Sequence, residues 1–429
     1  MKKIIIFSAI IAVCFNLSAQ DNVYPSKLNT GMIVIKNAII HTGTGEVLPQ
    51  ASVLINKQQI EKVGKDIVVP AGAKVIDATG MHVYPGLILS NTNIGLKEIA
   101  GQVRGSNDFR EIGDMNPNVK SILAYNTDSK IINTLRSNGI LLANISPQGG
   151  TISGSSSVVQ FDAWNWEDAI YKRDHGIHVN MPSLLNRVRP QQGGQSQPDP
   201  VKQSLDKIQE LYAFFAQAKL YSNSATETNL KLESVKGLFN RSQRLFVHCN
   251  LVKEMLVAID FVKQFNFNVT IVGGSESFQI ADLLKQNNIS VILSQLHNLP
   301  STDDDDVDQP FKTPAVLQEA GVLFALTDDD GQTTGRNLCF NAGTASSYGL
   351  TKEQALQAVT LNAAKILGIA DKTGSIEAGK DANIVISEGD ILDMRTSVVV
   401  RAFIQGREID LTDKHKQLND RYKSKYGIR

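Results

Sequence analysis

Cysteine is scarce here: three residues in 429, at positions 14, 249 and 339. A disulfide framework is therefore excluded, and a single bridge between Cys249 and Cys339 is not expected at that spacing. An excess of one charge is also missing. Lys+Arg and Asp+Glu both count 43, so no global field draws nucleic acid or a membrane surface. Beyond residue 19 no stretch reaches the run of about 18 apolar residues that a spanning helix needs. What is present is a hydrophobic fraction of 42%, ample for a large core, in a chain long enough for more than one domain.

The one long apolar run comes first. Lys2 and Lys3 precede Ile4 to Leu17, and Ser18-Ala19 supplies small residues for cleavage. This pattern predicts a secretory leader over 1–19, cut after Ala19 or Gln20, and a periplasmic or secreted mature protein. Val13 stands before Cys14 where a lipoprotein leader needs a small residue.

Residues 32–83 read as short strands with close turns. Met32-Ile33-Val34-Ile35, Ser52-Val53-Leu54-Ile55 and Val75-Ile76-Asp77-Ala78 are examples, and the pattern suggests a small sandwich. From about residue 84 the texture changes. Ile140 to Ala143, Leu245 to Val247, Val269 to Val272, Val291 to Leu293 and Val322 to Leu326 read as buried parallel strands. Helical spacing lies between them, as in Glu254 to Gln264 and Glu276 to Gln286. Repeated β-then-α texture predicts an α/β fold, a (β/α)8 TIM-type barrel over 84–372.

Gln191 to Gln203 reads as a loop. Thr351 to Gly368 reads as one helix, opened by a Thr351/Gln354 capping box. After Gly374 the strands return, in Asn383 to Ile386, Ser397 to Val400 and Ala402 to Ile404. Strands on both sides of a barrel imply one composite β-sandwich built from 30–83 and 373–410. The polar tail 411–429 is expected to be a surface helix.

These segments carry a family likeness. Val83-Tyr84-Pro85-Gly86-Leu87-Ile88 resembles the junction where amidohydrolases pass from sandwich into barrel. Gly374-Ser375-Ile376-Glu377-Ala378-Gly379-Lys380-Asp381-Ala382-Asn383 resembles their return, and Ile76-Asp77-Ala78-Thr79-Gly80 their last sandwich strand. Order and spacing together resemble the amidohydrolase superfamily, in particular its imidazolonepropionase-like branch. The resemblance implies metal-assisted hydrolysis of non-peptide carbon–nitrogen bonds in small amides or cyclic amides. One or two divalent metals, often zinc, would lower the pKa of a bound water to about 7. The implied ligands are a His-x-His pair ending strand one, a Lys or Glu on strand four, histidines on strands five and six, and an Asp on strand eight that is also the general base.

This chain departs from that pattern. The His-x-His position reads Asn91-Thr92-Asn93, and the strand-six position Val272-Gly273-Gly274-Ser275. His248, one of seven histidines, keeps the strand-five position, and Asp328 the strand-eight position. No strand-four ligand is assigned. An amide oxygen is a weak donor for zinc, so Asn91 and Asn93 are read as hydrogen-bonding residues of the barrel mouth, with a harder cation such as Ca²⁺ or Mg²⁺ as the alternative. Asp329, Asp330 and the acidic run Asp303 to Asp306 are read as solvated. The glycine-rich Gln148 to Gly154 is read as a tight loop, since it lacks the lysine of a phosphate-binding loop. His175 and His178 could pair at a metal, but no third ligand is evident in the sequence, and they are read as surface residues.

Two functions remain. One is an exported hydrolase in which His248 and Asp328 hold a single divalent metal such as zinc, or work without one, and Asp328 activates water. The other is a catalytically silent barrel that binds a small-molecule ligand, forms a homo-oligomer or pairs with an active relative.

Overall fold

The computed structural model describes residues 23–98, 107–185, 199–224, 227–300, 304–328 and 331–428. The expected leader, Asp303, Asp329 and Asp330 lie outside the described residues. Among the described residues two eight-stranded sheets form.

The first sheet joins the two parts of the chain that flank the barrel. Its strands are β1 (Met32–His41), β2 (Val47–Asn56), β3 (Gln59–Gly64), β4 (Lys74–Asp77) and β5 (His82–Pro85). The barrel strands follow: β6 (Leu87–Thr92), β7 (Ile140–Ile145), β8 (Ile152–Gln160), β9 (Ile170–Asn180), β10 (Arg244–Cys249), β11 (Val269–Gly273), β12 (Ser290–Leu293) and β13 (Phe324–Leu326). The chain then returns to the first sheet as β14 (Ile384–Ser387), β15 (Val399–Ile404) and β16 (Arg407–Glu408). β14 runs antiparallel to β5, with Ile386 opposite Val83. Side chains alternate across a strand, so Ile33 and Ile35, Val53 and Ile55, and Ile384 and Ile386 meet on one side. With Phe403 they form a core separate from that of the barrel. Gly86 sits at the passage between the sheets. A Cβ there would lie 2.6 Å from Leu141 Cδ1, so any larger residue requires the Leu141 side chain to move.

The barrel sheet runs in the order β13-β12-β11-β10-β9-β8-β7-β6. β9 through β13 pair parallel, as do β6 and β7. One strand differs from the repeated β-then-α expectation. β8 is antiparallel to both β7 and β9, so six residues, Ser146 to Thr151, replace a helical crossover. The segment read as a tight loop up to Gly154 therefore ends inside β8. The barrel closes by a side chain: Thr327 Oγ1 accepts the Asn91 N–H at 3.1 Å and donates to the Asn91 carbonyl at 2.9 Å.

Two helical expectations change. A helix already begins at Pro200 and runs to Ser224, inside the stretch read as a loop. The helix expected over Thr351 to Gly368 is two, Lys352–Ala358 and Leu361–Leu367. The capping box is present, and Gly368 ends the second helix at φ 67°. The break falls where the Val359 carbonyl accepts the Ile88 N–H at 2.9 Å, and where Thr360 Oγ1 donates to the Leu356 carbonyl at 2.7 Å. The tail forms a helix over Lys414–Tyr426 with no buried residue. Among the described residues no helix is long and apolar enough to cross a membrane. Cys249 and Cys339 are buried free thiols.

Candidate functional site at the barrel mouth

The C-terminal ends of the barrel strands surround a cavity of about 820 Å³, the place where barrels of this kind carry function. Its lining includes Asn91 near the end of β6, Gly149 and Gly150 between β7 and β8, Asn180 at the end of β9, His248 on β10, Gly273 on β11 and Ser294 after β12.

Asn91 is 6% exposed. Ser146, just past β7, donates its hydroxyl to Asn91 Oδ1 at 2.7 Å. The alternative acceptor of that proton, the Thr92 carbonyl, is 3.4 Å away. The shorter bond fixes the amide orientation, with oxygen toward Ser146 and nitrogen toward the cavity. Asn93 is buried beyond the strand end, and its carbonyl accepts the Leu96 and Lys97 N–H groups.

His248 Nε2 lies 2.8 Å from Nδ1 of His178. The strands put them there: His178 is opposite Phe246 in the β9–β10 ladder and His248 opposite Asn180. His178 is fully buried and stacks on Phe246, with ring centroids 4.8 Å apart. Its Nε2 has no hydrogen-bond partner. A sealed N–H without a partner is rarer than a sealed lone pair, so the bare Nε2 is the lone pair. His178 Nδ1–H then donates to His248 Nε2, and His248 carries its proton on Nδ1. Burial holds both rings neutral. It pushes His248 down to about 4. It pushes His178 well below the usual histidine range, an effect increased by His248 and His175.

The surface reading of His175 and His178 is thus corrected. His175 is 4% exposed, and its Nε2 lies 2.9 Å from Asn144 Oδ1. The charged run Lys172-Arg173-Asp174 before it gave the segment a surface look. His178, between Ile177 and Val179, was the missed functional residue, and that alternation was the available sign of a strand.

Asp328 is 1% exposed, immediately after β13. Thr334 Oγ1 donates to its Oδ1 at 2.7 Å. His248 and Asp328 therefore engage different partners. Asn180 donates both amide hydrogens, to the Gly150 carbonyl and Ser153 Oγ, each at 2.8 Å. Its Oδ1 is left as an acceptor at the cavity. The buried Glu254 carboxylate accepts the N–H groups of Leu184, Asn250 and Leu251. Asp304 and Asp306 are exposed, and Lys312 pairs with Asp306.

A tetrahedral zinc site needs three or four convergent nitrogen, sulfur or carboxylate donors. Among the described residues no group of three or more His, Cys, Asp and Glu side chains is placed to hold an ion. Asn91 Oδ1 and His248 Nε2 both face a neighbour's proton. Burial, and then Glu254, pushes the Cys249 thiol up, away from the thiolate that would ligate. These residues do not fit a family metal. They do fit a neutral amide: Asn91 Nδ2–H and His248 Nδ1–H can meet a carbonyl oxygen, and Asn180 Oδ1 an amide N–H.

The pattern of the Amidohydrolase family matches residues 247–409. The chain is 26% identical over 231 residues to the imidazolonepropionase of Flavobacterium psychrophilum, covering 51% of this chain and 48% of that protein. It is 37% identical over 86 residues to the imidazolonepropionase of Thermoplasma volcanium, covering 20% and 21%. The chain thus spans about half or less of the length of these curated relatives. The fold matches the crystal structure of an amidohydrolase from Thermotoga maritima with a TM-score of 0.75 at 28% identity, over 88% of this chain and 99% of that one. By sequence and by fold, the chain is similar to the amidohydrolase superfamily, and the curated relatives named here are imidazolonepropionases.

Proposed function

We propose that this protein binds a small amide or cyclic amide in the barrel mouth by hydrogen bonds, and does not hydrolyse it on a metal. The observation that carries this reading is the 2.8 Å contact between His178 and His248. It turns the lone pair at the strand-five position toward a neighbouring ring, while Ser146 does the same to Asn91. Each mouth group is thereby preset as a donor or acceptor for a neutral ligand.

Two measurements on the full chain test it. Metal analysis of protein purified without chelator is expected to give far less than one zinc or manganese per chain, with no turnover of amides, lactams or dipeptides. Calorimetry with pyrrolidin-2-one is expected to show binding that weakens about tenfold in Asn91→Ala, the loss of a hydrogen bond or two to the ligand. Stoichiometric metal that disappears in His248→Ala, together with hydrolysis, would replace this reading with the hydrolase one. The buried Asp328 at the end of β13 is the feature that favours that second reading, as the base that activates water.

The leader read over 1–19 supports a place beyond the inner membrane. Fractionation with N-terminal sequencing of the mature chain tests it, and a start at Met1 in the cytoplasm refutes it.

A further inference from the structure

The mouth cavity continues sideways. A second cavity of about 400 Å³ lies between the ends of β11 and β12 and the helix Gln309–Glu319. Gly273 and Ser294 line both spaces. Gly273 has φ 101°, and a Cβ there would come within 2.5 Å of Asn250 Oδ1 and 3.0 Å of the Cys249 carbonyl. The shared wall at Gly273 is thus backbone, flanked by the Asn250 side chain, whose Oδ1 accepts the Ser275 hydroxyl at 3.0 Å.

The side cavity differs in chemistry from the mouth. Leu293, Leu296 and Leu299 give it an apolar wall, and Gln295, Asn298 and Gln309 bring neutral amides to it. Among the described lining residues neither cavity has a lysine or arginine; the ionic side chains are Asp305 in one and Glu254 in the other. Glu254 is already engaged by three backbone N–H groups. The pair of spaces therefore disfavours an anion and suits an uncharged group with an apolar end.

We propose that the two cavities are one bipartite site, and that its ligand is an extended, uncharged amide of blocked-dipeptide size. One amide sits in the mouth against Asn91, His248 and Asn180, and an apolar side chain enters the space under Leu293 and Leu296. This rests on the amide-binding reading of the mouth and adds the length and polarity of what is bound.

The test is calorimetry on the full chain with two probes, N-acetyl-alaninamide and N-acetyl-alanyl-leucinamide. The longer probe is expected to bind about tenfold tighter or more, from burial of its leucine side chain. In Gln309→Trp, which fills the side cavity, the ratio of the two affinities is expected to collapse to about one. Asn298→Trp fills the same space from the opposite loop, and circular dichroism on both variants identifies one that has simply unfolded. Equal affinities for the two probes in the unaltered chain, or a ratio that survives both tryptophans, would overturn the bipartite site and leave the mouth reading standing. Failure of both probes to bind would overturn the two together.

Discussion

Acidification from pH 7.5 to 5 is expected to remove about 2 kcal/mol of folding stability through His175 alone. This ring is 4% exposed. Burial, followed by the charges of Lys172 and Arg244, pushes it down to about 3. In the unfolded chain it titrates near 6.5. The folded state thus holds fewer protons than the unfolded one below pH 6.5, so its stability is full above that value and falls as the pH drops toward 3. Each pH unit in that window costs about 1.4 kcal/mol, and the 1.5 units down to pH 5 cost about 2 kcal/mol. His178 is shifted in the same direction by burial and steepens the loss. Against a total of about 5–15 kcal/mol for a folded domain, the effect is large. Urea unfolding followed by circular dichroism at pH 7.5, 6.5, 5.5 and 5 measures it. His175→Gln keeps an N–H for Asn144 Oδ1 without the titration, and is expected to flatten the slope by one proton's worth. An unfolding free energy that is level from pH 7.5 to 5, or a slope unchanged in His175→Gln, would refute the reasoning.

Two further perturbations probe how the fold is tied. Thr327→Val keeps the shape of the side chain but leaves the buried N–H and C=O of Asn91 without their partner; a loss of about 2–4 kcal/mol is expected in chemical denaturation, and a loss below about 0.5 kcal/mol would show that β6 and β13 are held otherwise. Asp162 is 1% exposed and lies 3.2 Å from Arg136, 3.7 Å from Arg407 and 3.0 Å from the Ser26 N–H. Asp162→Ala strands two cations and is expected to cost about 3–5 kcal/mol, read as a lowered thermal midpoint; an unshifted midpoint would mean that water takes the carboxylate's place.

The parts of the barrel legible in the sequence are those whose surroundings are uniformly apolar. β7 and β10 to β12 each pair with a strand on both sides and yield runs such as Ile140 to Ala143 and Val291 to Leu293. β8 escaped notice because its sequence, ISGSSSVVQ, is polar although all nine residues are buried. Two of its serines find partners that a linear reading does not reveal: Ser155 and Ser157 both contact Asp174, and Ser155 also the Val119 carbonyl. Gly176 on β9 looks like a turn residue, yet it lies in a strand because a Cβ would come within 2.2 Å of Phe246 Cε2. Propensity and periodicity describe a residue's own chain, whereas these positions are set by what arrives from the next strand. The same limit applied to the site. Asn91 and His248 were visible as departures from and survivals of a motif, but Ser146 and His178, which orient them, belong to no spacing pattern.

Those orienting contacts bear on how the mouth differs from a metal centre. Had the site merely lost ligands, the survivors would be expected to keep their lone pairs aimed at a common point, since nothing else would claim them. Instead each strand-end group is turned to a neighbour. Ser146 takes Asn91 Oδ1, His178 takes His248 Nε2, Ser275 donates to Asn250 Oδ1 and Thr334 donates to Asp328 Oδ1. Four separate hydrogen bonds, from β9 and from the loops after β7, β11 and β13, draw acceptors away from the centre. Refilling the site with a cation would require breaking several of them at once, and at the buried ones a lost partner costs about 1–3 kcal/mol. A single Asn91→His replacement therefore supplies one ligand without freeing His248, whose partner His178 lies on a different strand. The recognition chemistry of this mouth is fixed by those neighbours as much as by the side chains that line it.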